Sequence, residues 1–177
     1  MGASGAGKST LMRLLLGFDN PHKGSIYYDS FSTRKLDLDF IRCQIGYVPQ
    51  STFILPDFSI YDAIANGRNI SRQEVSDILP LVGLQAISKL DIKVKDFSSG
   101  NKKKLLIARG LISKPKVLLL DEPTASLDLA SQELIKGTLE KLSQFNVTRV
   151  VISHSVEFLG NVDRLYTLTE GDLVQVE

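Results

Sequence analysis

Gly2-Ala3-Ser4-Gly5-Ala6-Gly7-Lys8-Ser9-Thr10 stands at the front of the chain behind Met1 alone, and its spacing is G-x-x-x-x-G-K-[ST]. Glycines so placed let the backbone curl until successive N–H groups face one anion, at the positive end of the helix that follows. This reading places a bound phosphate among Gly2, Ser4, Gly5, Gly7, Lys8, Ser9 and Thr10. The Lys8 ammonium would reach the β- and γ-phosphates of a nucleotide, and the Ser9 hydroxyl would ligate Mg2+. Such a loop works between a strand and a helix. The helix is legible, because Leu11, Met12, Leu14, Leu15 and Leu16 follow and Gly17 stops the run. The strand is not, since a single residue precedes Gly2.

A phosphate loop gains weight when a second element supplies an acid for the metal. Val117-Leu118-Leu119-Leu120 is a continuous apolar run ending in Asp121-Glu122-Pro123, the pattern of a strand buried on both faces. Asp121 then stands at a carboxyl end, where open α/β sheets hold their ligands. There it can hold Mg2+ through water against the phosphates, while Glu122 polarises the water that attacks the γ-phosphate. The plainer alternative makes Asp121 a strand cap and Glu122 a solvated acid. Val147 to Ser153 reads as another buried strand, and it ends at His154. If the two strands run parallel, His154 shares a crevice with Asp121 and Glu122, where a neutral imidazole can bond the γ-phosphate and orient Glu122. Ile45-Gly46-Tyr47-Val48 is a shorter strand closed by Pro49, with Gln50 just past its end.

Ser25 to Asp29 reads as a strand, and Leu36, Leu38 and Ile41 as a short helix. From residue 59 to about 88 the apolar spacing is helical, so a small helical subdomain over about 59–100 is expected. A helix from about Lys102 to Ile112 follows, and Leu134, Ile135, Leu139 and Leu142 mark another. Glu170-Gly171-Asp172 reads as the turn of a hairpin. Strands alternating with helices imply an α/β fold, with a mostly parallel sheet covered by helices on both faces.

With 177 residues the chain forms one domain, 1–177, large enough for a real core. A formal charge of +1 nominates neither nucleic acid nor an anionic membrane as partner. The local excess Lys102-Lys103-Lys104 reads as a solvated helix face. Cys43 is the single cysteine, so no internal disulfide can form, which suits a reducing compartment. No apolar run approaches the ~18 residues of a membrane span.

In their order these motifs resemble the nucleotide-binding domain of the ATP-binding-cassette (ABC) family, over essentially the whole chain. Besides the phosphate loop, Gln50 in Tyr47-Val48-Pro49-Gln50 matches the family's glutamine loop. Phe97-Ser98-Ser99-Gly100-Asn101 stands where the family writes L-S-G-G-Q, and Ile107-Ala108-Arg109 follows as expected. Asp121-Glu122-Pro123-Thr124 is the acidic strand end, Ser126-Leu127-Asp128 matches S-A-L-D, and His154 matches the switch histidine. The resemblance implies a P-loop ATPase core that uses ATP with Mg2+. It implies metal contacts from Ser9, Gln50 and Asp121, a general base in Glu122, and γ-phosphate sensing by Gln50 and His154. Ser98 and Gly100 would complete the site of a second, head-to-tail nucleotide-binding domain. Asp128 would touch that partner as well, or serve only as a helix N-cap. The implied membrane partner is a transmembrane domain, fused upstream or on a separate chain, which puts this domain on the cytoplasmic face; no nucleic acid is implied. Leu36-Asp37-Leu38-Asp39-Phe40-Ile41-Arg42 resembles the exporter branch, whereas Asp121-Glu122-Pro123-Thr124 leans to importers.

The departures matter too. Ser99 replaces a glycine where the backbone would need a positive φ or close approach, and Asn101 is one methylene shorter than glutamine. Together they lead us to expect slower closure on a partner's nucleotide. Family members also carry strands before the loop, one with an aromatic residue that stacks on adenine. The expectation is therefore a sequence truncated at its front, the alternative being a remnant that binds ATP poorly. A regulatory domain that does not hydrolyse ATP, and a soluble cassette acting on DNA or ribosomes, are the competing functional readings. The last lacks its usual coiled-coil insertion or tandem cassette.

Overall fold

The computed structural model describes residues 1–3, 5–85, 87, 89–154 and 162–176. Helix α1 (Lys8–Leu15) leaves directly from Gly7, whose φ of 100° only glycine adopts without strain. A small hairpin follows, β1 (Tyr27–Tyr28) against β2 (Phe31–Ser32). Where one strand over 25–29 is expected, the chain turns back at Asp29, whose φ is 51°. Helix α2 (Leu38–Cys43) starts on an Asp37 cap and leads into β3 (Ile45–Val48).

Between β3 and the next strand the described chain is helical. Helix α3 (Ile60–Ala65) and helix α4 (Arg72–Ile78) each open with a reciprocal cap, Ser59 with Asp62 and Ser71 with Glu74. Each such box satisfies two N–H groups that a helix start would otherwise leave orphaned. Helix α5 (Ser99–Leu111) then begins three residues earlier than the apolar pattern suggests, because Ser98 caps it through the Asn101 N–H. Strand β4 (Val117–Asp121), helix α6 (Leu129–Lys141), strand β5 (Thr148–Ile152) and the hairpin β6 (Leu165–Thr169) with β7 (Asp172–Val176) complete the order.

The central sheet is parallel, in the order β3-β4-β5. Val48 lies opposite Leu120 and Asp121 opposite Ile152, so the three strands finish nearly level. Strand β4 is buried on both faces, as its unbroken apolar run predicts. Leu118 and Leu120 join the large cluster made with α3, α4, α5 and α6, whereas Leu119 turns the other way to Met12, Leu16 and Ile152. Met1 lies beside β6: its ammonium donates to the Tyr166 carbonyl, and its own carbonyl accepts from the Leu168 N–H at 2.6 Å.

The lysine triplet is not the solvated face that its charge suggests. Lys103 is fully buried and Lys104 is 5% exposed, because α5 is packed between β3, α3 and α6 and has little free surface there. Each ammonium ends on backbone oxygen, Lys103 on Pro49 at 2.9 Å and Gln50 at 2.8 Å, Lys104 on Gly83 at 3.3 Å. Helix α5 comes this close to β3 because Gly46 faces Gly110. A β-carbon on Gly46 would stand 2.2 Å from the Gly110 carbonyl oxygen. Gly46→Ala must push α5 away, and we expect a loss of about 2 kcal/mol in urea unfolding. Unchanged stability would mean that the two backbones are not in contact.

Candidate functional site

Level parallel strands deliver their carboxyl ends to one place, and the site is built there. A cavity of about 300 Å³ is lined by Gly5, Gly7, Lys8, Ser9 and Thr10 from the loop and first turn of α1, by Gln50 beyond β3, by Asp121 and Glu122 at the end of β4, and by His154 beyond β5. Ser4 lies outside the described residues. Gly2 does not line the cavity, and a β-carbon there would stand 2.4 Å from the Leu168 carbonyl oxygen. Its lack of a side chain thus serves the approach of the loop to β6.

Within the cavity the Lys8 ammonium donates to the carbonyls of Gly2 at 2.6 Å and Ala3 at 2.9 Å, and lies 3.4 Å from His154 Nε2. Asp121 and Glu122 are buried. Burial pushes the Asp121 carboxyl up from its ordinary range, against the pull of the Lys103 and Lys8 charges and a hydrogen bond from the Tyr47 hydroxyl. Glu122 sits at a φ of 45°, in the left-handed region that costs a non-glycine residue on the order of 1 kcal/mol. Its N–H still donates to Ile152, which fixes the turn. Glu122 Oε2 accepts from the His154 backbone N–H at 3.3 Å. Oε1 lies 3.0 Å from His154 Nε2 and is a buried acceptor without a hydrogen bond among the described residues.

An orphaned carboxylate oxygen facing a phosphate loop is what a water or cation would satisfy. The donors at hand, the Ser9 hydroxyl, the Gln50 side chain, Asp121 and Glu122, are hard oxygen ligands of the kind Mg2+ takes. Among the described residues no three His, Cys, Asp or Glu side chains stand together as a metal site. Mg2+ fits that arrangement, because it commonly completes its shell with phosphate and water rather than protein.

Ser98 and Gly100 stand apart from this cavity, at the start of α5. The Ser98 hydroxyl accepts from Asn101 N–H at 3.2 Å. Gly100 is buried, and a β-carbon on it would meet the Ser131 hydroxyl at 2.7 Å. Asp128 does cap α6, accepting from the Ser131 N–H and hydroxyl, both at 2.9 Å. Ser99 corrects one half of an expectation: it is an exposed first-turn residue of α5, absent from the residues with positive φ, so its backbone conformation does not call for glycine. Two residues near the cavity carry no signal in the sequence. Tyr47 bonds Asp121, and Lys103 holds the carbonyls around Gln50, with burial lowering its ammonium to about 8 against a raising contribution from Asp121. Among the described residues no helix is long and apolar enough to cross a membrane.

The family model for ABC transporters matches residues 1–125. The cell division ATP-binding protein FtsE of Escherichia coli is 36% identical over 188 residues, which cover 97% of this chain and 82% of that protein. The spermidine/putrescine import ATP-binding protein PotA of Mesoplasma florum is 32% identical, over 99% of this chain and 52% of its own length. Among solved structures, a bacterial Atm1-family ABC exporter with ATP bound matches at a TM-score of 0.85 and 31% identity, over 98% of this chain and 32% of that one. The chain therefore spans about half the length of PotA and a third of the exporter chain.

The Gly100–Ser131 contact yields a test of how the start of α5 is seated. Gly100→Ala should cost about 1–2 kcal/mol in thermal unfolding, and adding Ser131→Ala should return part of it. Strictly additive losses would show that the two residues do not touch.

Proposed function

The chain belongs to the ABC transporter family, and on that premise we propose that it binds ATP with Mg2+ and hydrolyses it to drive transport across a membrane. The observation that carries the proposal is the gathering of Lys8, Asp121, Glu122 and His154 around one cavity from three separate segments. A nucleotide's phosphates would draw the Lys8 ammonium from the Gly2 and Ala3 carbonyls that now hold it, and the N–H groups of the loop would face them. Mg2+ bound near Ser9, Gln50 and Asp121 would supply positive charge to the phosphate oxygens. The nearby Lys103 and Lys8 charges favour the anionic form of Asp121 against the burial that raises its pKa.

Glu122 Oε1 is the group we assign to the attacking water. It is buried, has no hydrogen bond among the described residues, and would accept the proton that the water sheds. His154, with Nε2 3.0 Å from that oxygen and 3.4 Å from the Lys8 ammonium, would bridge general base and phosphate. Gln50 would report the metal to the transporter. Catalysis of this kind is mostly positioning and charge stabilisation.

The remaining parts follow from family membership. Ser98 and Gly100 would complete the site of a second nucleotide-binding domain in a head-to-tail pair, and residues 59–100 would form a helical subdomain. A transmembrane domain, fused or separate, would place the chain at the cytoplasmic face. PotA is named for import and the Atm1-family protein for export, at 32% and 31% identity, so the proposal stops at the class of machine. The regulatory alternative drew on Ser99 and Asn101 together; Ser99 is an ordinary helical residue, and Lys8, Asp121, Glu122 and His154 are all present.

Glu122→Gln in the full-length protein keeps the shape and removes the base. Hydrolysis should fall about 100-fold or more while ATP affinity is retained. Undiminished turnover would refute the assignment.

A further inference from the structure

We propose that Lys103 is a positioning residue, which locks the backbone of Pro49 and Gln50 to helix α5 so that the glutamine loop and the N-terminal turn of α5 move as one piece. The role deepens the ATP-site reading and rests on it for its catalytic consequence, although the mechanical link can be measured without nucleotide.

A fully buried ammonium is costly unless its donors are met, so its surroundings show what it is for. Lys103 meets two carbonyl oxygens at once, Pro49 at 2.9 Å and Gln50 at 2.8 Å. Both carbonyls lie past Val48, where the ladder between β3 and β4 ends, so the sheet no longer holds them. One point charge with three N–H groups can serve both; an apolar side chain of equal length would leave two acceptors without this donor. At the other end of the link, Lys103 belongs to the second turn of α5, whose N-cap is Ser98 and whose first turn holds Gly100. The side chain also lies within the field of Asp121. It therefore touches the loop that carries Gln50, neighbours the acid assigned to the metal, and is carried by the helix that presents Ser98.

Lys104 provides a control built into the same helix. It is nearly as buried, but its ammonium ends on Gly83, which does not line the cavity, with one longer bond of 3.3 Å. A general loss of buried lysine from α5 would affect both positions alike. Loss of the link would affect only Lys103.

Compare Lys103→Met with Lys104→Met in the whole chain. The first measurement is the 15N order parameter of the Gln50, Ser51 and Thr52 amides without nucleotide. Lys103→Met should lower these from rigid values near 0.85 to below about 0.6, and Lys104→Met should leave them in place. The second is the Mg2+ concentration that half-saturates ATP hydrolysis, which should rise about tenfold in Lys103→Met only, with nucleotide affinity in EDTA unchanged. Lys103→Gln keeps a donor and should restore part of both; if Lys103→Met does not fold, Lys103→Gln against Lys104→Gln decides. Order parameters equal to the parent's overturn the proposal. Reduced order with no ATPase activity in the parent chain leaves the link standing and removes the ATP-site reading instead.

Discussion

The parallel register of β3, β4 and β5 is the constraint on which the cavity depends. Because Val48 pairs with Leu120 and Asp121 with Ile152, the chain leaves all three strands on the same edge of the sheet. Gln50, Asp121, Glu122 and His154 are consequently neighbours although the first and last stand more than a hundred positions apart in sequence. The strength behind that register comes from β4. Its side chains are buried alternately against the large helical cluster and against α1, so a one-residue slip would exchange Leu119 with its neighbours on both faces at once. The same packing sets α1 against the sheet through Met12 and Leu16, which aims its N-terminus, and the loop before it, at the strand ends.

A second constraint joins the sheet to α5. Gly46 against Gly110 lets the helix axis approach β3, and the approach is what lets Lys103 reach the carbonyls beyond Val48. The helix start is seated in turn by Gly100 on Ser131, whose hydroxyl and N–H are held by Asp128. The motif around Ser98 and the one around Asp128 are thus a single packed unit in this protein. A change at either should be felt at the other.

How much of this was legible in the sequence depended on whether a residue's role is local or tertiary. The phosphate loop, the unbroken apolar run of β4 and the polar residues that end each strand are local patterns, and the structure has the expected strands there. The apolar pattern misplaces the start of α5 because Ser98, Ser99 and Gly100 lack apolar periodicity, and only a cap marks the boundary. Lys103 was out of reach for a different reason. Consecutive helical residues point about 100° apart, so three lysines in a row do not share a face, and which of them is buried depends on what surrounds α5. Analogy with a glycine suggests strain at Ser99, whereas its backbone is simply helical. Tyr47 alternates inward and outward like any strand residue, and nothing in its neighbours announces a bond to Asp121.

The central claim is that one triphosphate is held between Lys8 and the Asp121–Glu122 pair. A structure of the full-length protein with Mg2+ and a non-hydrolysable ATP analogue tests it most directly. The account predicts the γ-phosphate within hydrogen-bonding distance of Lys8 Nζ, with Mg2+ between the phosphates, Ser9 and Asp121. A nucleotide bound elsewhere, or phosphates that leave Lys8 on the carbonyls of Gly2 and Ala3, would contradict it.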